Sequence, residues 1–321
     1  MTDALLAGAF GDERARAAAA VALDAVVESP VEIEAITRGN RKETAVARFP
    51  TRGPVVVQVA TEAAWLRTEA ALLRAIRERT FVPVPPVLTA GTHKGVAYML
   101  TAYVAGNDLH AAFADFDCES QRAFARWFGR ALARLHDAFS FDAYGQLELG
   151  EAGFTASQQD WEAWFVDYGT RAIDRLPAAF DDIADELRGL VVEAPDSDPT
   201  PRLFPWDFRP GNALVADGSV TAVLDWEAPL SAAPALSIAK AEYLVADWYV
   251  DDPAPLRAAF QAGYESVREM PAVGPAHRAV AIAASAVDSA GRVTNPRYPP
   301  VDREAAVAFH RKGLKSVLVS V

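Results

Sequence analysis

The chain is 321 residues long, 51% hydrophobic and 23% charged, which fits a globular protein of about two domains with a sizeable core. A formal net charge of −12, with lysine confined to Lys42, Lys94, Lys240, Lys312 and Lys315, excludes a basic stripe able to displace counterions from nucleic acid. No apolar run is long enough for a bilayer and the acidic N-terminus lacks a basic leader, while the lone Cys118 excludes an internal disulfide framework, so a cytoplasmic setting is expected. Abundant Asp, Glu, Ala and Val with little Lys suits a salt-adapted, halophilic cytoplasm, and equally a GC-rich genome.

In chain order, GDERARAAAAVALDAVV (11–27) predicts a helix, acidic at its start and alanine-rich, with Val21, Leu23, Val26 and Val27 as its apolar end. VEIEAI (31–36) and TAVARF (44–49) alternate as strands around a polar turn, and VVVQVA (55–60) predicts a third, buried strand. From Thr61, a candidate N-cap, Ala64, Trp65, Ala71, Leu72 and Ile76 recur at helical spacing. A proline-marked strand (VPVPPVLTAG) and a fifth strand (VAYMLTAYV, 96–104) complete an antiparallel sheet with one main covering helix. Beyond Ala105-Gly106 the pattern turns helical at 120–139, 160–174 and 180–193, then after Glu227 at four further stretches. The predicted organisation is α+β, with a β-rich N-lobe at 1–104 and a mostly helical C-lobe at 105–321 that contains one hairpin.

That hairpin lies in RLFPWDFRPGNALVADGSVTAVLDWE (202–227), where the Asp217-Gly218 turn joins two apolar strands. It brings Asn212 back towards Asp225, with Asp207 just upstream. Two carboxylates and an amide oxygen suit Mg²⁺ with phosphate.

The order of these elements, with Asp-x₄-Asn followed by a strand-end Asp, resembles the aminoglycoside phosphotransferase and choline kinase family, small-molecule kinases with a protein-kinase-like, two-lobed fold. The family's His-Gly-Asp, Leu-His-Pro-Gly-Asn and Asp-Trp-Glu read here Pro205-Trp206-Asp207, Phe208-Arg209-Pro210-Gly211-Asn212 and Asp225-Trp226-Glu227. The resemblance implies that Asp207 accepts or orients the proton of the attacking hydroxyl, that Asn212 and Asp225 hold Mg²⁺, and that Glu227 is a further ligand or meets the acceptor. Gly39 and Asn40 would form a phosphate loop. Thr101, Ala102 and Tyr103 would pair their backbone with the base of ATP or GTP. Glu69 would be the helix glutamate that partners the nucleotide-anchoring lysine. LARLH (132–136) matches the end of the long C-lobe helix, with His136 bonded into the lobe.

The departures are as specific as the matches. The lysine expected on the third strand is Gln58, which offers phosphate a hydrogen bond but no charge. Lys42, in the loop feeding the second strand, reads either as its replacement, as in a protein-kinase group whose lysine comes from that strand, or as a solvated turn residue. Pro205 stands for a histidine, and Ala232 to Ala239 lacks two structural carboxylates. Two functions are therefore expected: a kinase transferring the γ-phosphate of ATP or GTP to a hydroxyl of a small molecule, or a nucleotide-binding or ligand-sensing pseudokinase. Acidic residues across 155–200 suit a cationic acceptor such as an amino sugar, and suit equally a solvated face.

Overall fold

The computed structural model describes residues 2–36, 41–193 and 198–319. Two compact units form: Met1–Gly106 with Leu147–Phe154 and Ser219–Ala228, and Asn107–Gln146 with Thr155–Gly218 and Pro229–Val321. In chain order the elements are α1 (Thr2–Ala9), α2 (Glu13–Leu23), β1 (Glu32–Ile36), β2 (Glu43–Arg48), β3 (Val55–Ala60), α3 (Ala63–Arg79), β4 (Val87–His93) and β5 (Val96–Ala102). There follow β6 (Asn107–Asp108), α4 (Leu109–Ala112), α5 (Cys118–Ala138), β7 (Gly145–Gln146), β8 (Glu148–Gly150), β9 (Gly153–Thr155), α6 (Trp161–Asp174) and α7 (Asp181–Val192). The remainder is β10 (Arg202–Phe204), β11 (Ala213–Ala216), β12 (Ser219–Val223), β13 (Leu230–Ala232), α8 (Pro234–Glu242), α9 (Ala254–Glu265), α10 (Pro275–Ala286) and α11 (Arg303–Val319).

The first unit is built on an antiparallel sheet in the order β1-β2-β3-β5-β4. Its two faces follow from strand alternation. Val55, Val57 and Val59 of β3, with Ala45 and Ala47 of β2, point into a core filled by Leu6 and Phe10 and by Ala15, Ala18, Ala19 and Ala22 of α2. The small alanine face lets α2 lie close to the sheet, and the Gly11 N–H between the two helices donates to Glu43 Oε2 at 3.0 Å. The alanines make most of this contact; of the predicted apolar end, Leu23 and Val26 also enter the core and Val27 is fully exposed. The opposite parity, Thr44, Gln58 and Met99 in register across β2, β3 and β5, faces the other way. α3 lies on that side, packed on β4 and β5. The sheet thus has a helical cover on each face, where the strand pattern alone predicted one main helix. α3 begins behind Glu62, which makes no side-chain cap bond, so Thr61 does not cap it.

In the second unit the long α5 crosses α9 at backbone contact. A Cβ on Gly129 would fall 1.9 Å from the Phe260 carbonyl oxygen, and one on Gly263 would fall 2.0 Å from that of Arg126. Only glycine permits that approach. His136, at the end of α5, is fully buried between the Tyr264 hydroxyl (2.8 Å) and Ser237 Oγ (3.2 Å). Ser237 thus gives His136 a hydrogen-bond partner at a position where the resemblance implies a carboxylate. Short ladders β10-β13-β7 and β11-β6 hold the loop that carries Asp207.

Candidate active site

Each unit contributes a distinct polar constellation. In the first, β12 is fixed by the Val223 N–H to the Pro83 carbonyl (2.8 Å) and by Thr221 Oγ1 to the Ala105 carbonyl (3.1 Å). Trp226 is buried, its indole N–H closing onto the Val223 carbonyl at 2.9 Å. Between these anchors the backbone turns sharply, with Asp225 at φ 62° and Ala228 at φ 121°. A non-glycine residue held there stores strain of about 1–3 kcal/mol, as functional turns commonly do.

Lys42 is the centre of this constellation. It precedes β2 with the parity of Thr44, so it projects on the same sheet face as Gln58. Its ammonium donates to both oxygens of Glu69 at 2.9 Å and lies 3.7 Å from Asp225 Oδ1 and 3.8 Å from Glu227 Oε2. Glu69 is 3% exposed on α3. Burial works against the ammonium, but Glu69, Asp225 and Glu227 together raise its pKa to about 12. Lys42 is therefore an anchored charge and not a solvated turn residue. Burial, with Asp225 and Glu69 nearby, pushes Glu227 upward, and Lys42 and Arg41 offset part of it. Arg41 stacks its guanidinium on Trp65 at 4.0 Å.

Gln58 sits one strand over from Lys42, opposite Thr44 and Met99. Gly39 and Asn40 lie outside the described residues. Thr101 is buried in β5, and the expected base-pairing donors beyond it are engaged: the Ala102 N–H by the Pro86 carbonyl (2.9 Å) and the Tyr103 N–H by the Pro54 carbonyl (3.2 Å). These two amides are thus bonded within the first unit, while the carbonyl oxygens are the other backbone groups of this segment.

In the second unit, the turn at 207–212 wraps around Asp207. Asn212 Nδ2 donates to the Asp207 carbonyl (2.9 Å) and to Oδ2 (3.1 Å), and Arg209 Nε donates to Oδ1 at 3.0 Å. Burial alone would raise the carboxyl, but the charges of Arg209 and Lys240 and these two hydrogen bonds hold it below the usual carboxylate range. Asp207 is thus a carboxylate throughout the physiological range. With its amide nitrogen engaged, the remaining polar atom of the Asn212 side chain is Oδ1, an oxygen of the hard type.

Sequence reading gave no role to the groups behind Asp207. Arg209 lays its guanidinium over Trp248 at 5.1 Å, with Tyr249 nearby, whose hydroxyl meets His110 Nδ1 at 2.8 Å. Lys240 is 2% exposed, held by the Ala284 carbonyl and Ser285 Oγ at 3.1 Å and set 4.6 Å over Trp206. Burial drops its pKa to about 8, with Asp207 opposing and Arg209 and Arg175 reinforcing. The visible signal was in the departures themselves: Trp206 and Arg209 occupy places where the related motif has glycine and histidine.

The family profile described as phosphotransferase enzyme family (APH) matches residues 32–277. The chain belongs to that family. It is a phosphotransferase by membership. Among solved structures it resembles a thermostable mutant of aminoglycoside phosphotransferase APH(4)-Ia in ternary complex with AMP-PNP and hygromycin B. There the identity is 14%, with 94% of this chain and 98% of that one covered at a TM-score of 0.63. It also resembles the apoenzyme of macrolide 2'-phosphotransferase MphH from Brachybacterium faecium, 16% identical over 93% of this chain and 98% of that one, with a TM-score of 0.57. No curated protein matches the sequence. At such identities the structural likeness establishes the two-lobed kinase-like fold and leaves the acceptor to this chain's own chemistry.

The acidic residues at 155–200 divide by environment. Asp160 caps α6, and with Glu162, Asp167 and Asp174 it lines an open groove of about 760 Å³. Asp182 is held down to about 2, chiefly by its hydrogen bonds from Arg311, and Asp185 pairs with Arg188. Much of the predicted acidic surface is thus engaged in ion pairs. Among the described residues no cluster of three or more His, Cys, Asp or Glu is built to hold a metal alone. No helix among them is long and apolar enough to cross a membrane.

Proposed function

We propose that the protein is a catalytically competent small-molecule kinase that transfers the γ-phosphate of ATP or GTP to an acceptor hydroxyl. The observation that carries this is the Lys42–Glu69 pair facing Asp225 and Glu227. A positive charge aimed at phosphate was the element Gln58 left missing, and Lys42 supplies it from the neighbouring strand. Phosphoryl transfer rests on positioning and charge neutralisation, so a preorganised cation is decisive. Asp207, held ionised, orients the acceptor hydroxyl and takes its proton. Asn212 Oδ1 and the Asp225 carboxylate would hold Mg²⁺, which when bound neutralises phosphate charge. Glu227, with its raised pKa, is the candidate contact for an acceptor amine or hydroxyl. With the Ala102 and Tyr103 amides engaged, base contact falls to carbonyl oxygens and to the chain beyond Tyr103.

The pseudokinase reading rested on Gln58, Pro205 and two lost carboxylates. The Lys42–Glu69 pair and the Ser237–His136 bond support competence at the first and last of these places. A panel of amino sugars, amino alcohols, macrolides and sugars, screened for Mg²⁺-dependent ADP or GDP release, tests the proposal. At least one acceptor is expected to raise turnover well above the rate with water. In Asp207→Asn that turnover should fall by ~10³-fold or more with nucleotide affinity kept. Full turnover in the variant would remove Asp207 from the mechanism.

A further inference from the structure

The second unit also holds a cavity separate from the Asp207 turn. It measures about 620 Å³, the size of a small-molecule pocket, and lies among α9, α10, α11 and a π-helical turn, Tyr243–Asp247, that follows α8. Such turns are frequent at functional sites. Neither Asp207 nor Arg209, Asn212 or Lys240 lines it. Ile282, Phe309 and Val317 give it an apolar wall. Its charged lining is mostly cationic, in a chain of net charge −12: Arg257, Arg278, Arg297 and Lys312. The arginines are fixed in place. Glu242, 1% exposed, accepts from Arg278 Nη1 and Gln261 Nε2, both at 2.8 Å. Asp247 accepts from Arg257 Nε at 3.1 Å and from its Nη2. Arg297 is turned onto the carbonyls of Asp247 (3.2 Å), Trp248 and Val250 (3.0 Å) and onto Asp251. These bonds leave further N–H donors on Arg257 and Arg278. Lys312, exposed on α11, has no ion-pair partner among the described residues.

We propose that this cavity is a binding site for a small monovalent organic acid, with its carboxylate on Arg257, Arg278 and Lys312 and its apolar body on Ile282, Phe309 and Val317. The balance of charge selects the class. Four cations stand with three carboxylates, Glu242, Asp247 and Asp251, which suits one negative charge and not a polyphosphate. Guanidinium forks match a carboxylate, and forks already held by Glu242 and Asp247 lose little freedom on meeting another one. A buried carboxylate such as Glu242 adds little stability by itself, and here it sets the Arg278 guanidinium at the cavity. The apolar wall disfavours a bare inorganic anion, and the cations disfavour a neutral amide of the same shape. The inference goes beyond the kinase reading and does not depend on it.

The test needs neither nucleotide nor acceptor. The full chain is titrated by NMR with phenylacetate, benzoate and 4-methylvalerate, each beside its own amide, and with inorganic phosphate as the bare anion. At least one acid is expected to bind saturably, ~10-fold or more tighter than its amide and than phosphate. Lys312→Glu should weaken that binding by ~10-fold or more, because it reverses the charge at the rim. Ser316→Trp, which brings an indole into the cavity from α11, should abolish it. Both positions are exposed, so both variants are expected to fold, and circular dichroism checks this. Lack of saturable binding by all three acids would overturn the proposal. So would amides that bind as tightly as their acids, or binding that is unchanged in both variants.

Discussion

Lys42 is a charge in an expensive place, with its side chain 13% exposed and that of Glu69 4% exposed. Removing one partner of a buried pair leaves the other uncompensated, at a cost of about 3–5 kcal/mol. Lys42→Met is therefore expected to lower unfolding stability by about that amount in denaturant titration. In Lys42→Met/Glu69→Leu the orphaned carboxylate is gone and most of the loss should return, because Asp225 and Glu227 remain solvated at 44% and 30%. If the double variant is as unstable as the single, the pair is not the source of the cost. At this scale the sequence was half legible. The identities of Asp207, Asn212, Asp225 and Glu69 stood in recognisable strings. The state of Lys42 did not, because its surroundings are decided by Glu69 of α3, 27 residues away in the chain, and by Asp225 and Glu227 beyond β12. Lys240 was invisible for the same reason: a lysine in a helix reads as solvated until Trp206 and Ser285 are seen around it.

Among elements, those with strong periodicity emerged as expected, and those fixed by tertiary pairing did not. β3, β5, α5 and α6 fall within a few residues of their predicted bounds. The strands β6 to β10 span two or three residues each, too short for an alternation signal, and exist because a neighbour pairs with them. Nor does any pattern announce that 147–154 and 219–228 rejoin the first unit. The α5–α9 crossing shows the limit most plainly. Gly129 reads as a defect in a strong helix, costing about 1 kcal/mol against alanine. Its value lies in the Phe260 carbonyl that a methyl group would strike. Gly129→Ala, which should stabilise an isolated helix, is expected to destabilise this protein by on the order of 3 kcal/mol, since the obstacle is backbone and cannot rotate away. Thermal unfolding of the variant checks this, and an unchanged or raised midpoint would contradict the crossing.

For the whole molecule, three histidines set the response to acid, among them His277, which burial lowers to about 4. His136 and His310 are both fully buried, hydrogen-bonded to Tyr264 and Tyr243, and burial lowers their pKa values to about 3 and about 4. Below about 6.5 the unfolded chain binds protons that the folded chain refuses, so stability is full above that pH and falls as pH drops towards 4. Between pH 6.5 and 5.5 the three should cost about 3 kcal/mol together, before carboxylates of ordinary pKa titrate. Glu227 and Asp247, raised by burial, act in the opposite direction. Urea unfolding at the two pH values checks the sign, and His136→Asn should remove about a third of the slope. The central claim is narrower, that Lys42 has taken over the nucleotide-anchoring charge missing at Gln58. Calorimetric titration of MgATP into wild type and Lys42→Met/Glu69→Leu tests it most directly, because the double variant separates charge from stability. The account predicts saturable binding by wild type, weakened by ~10²-fold or more in the double variant. Equal affinity in the two proteins, or no binding by wild type, would contradict it.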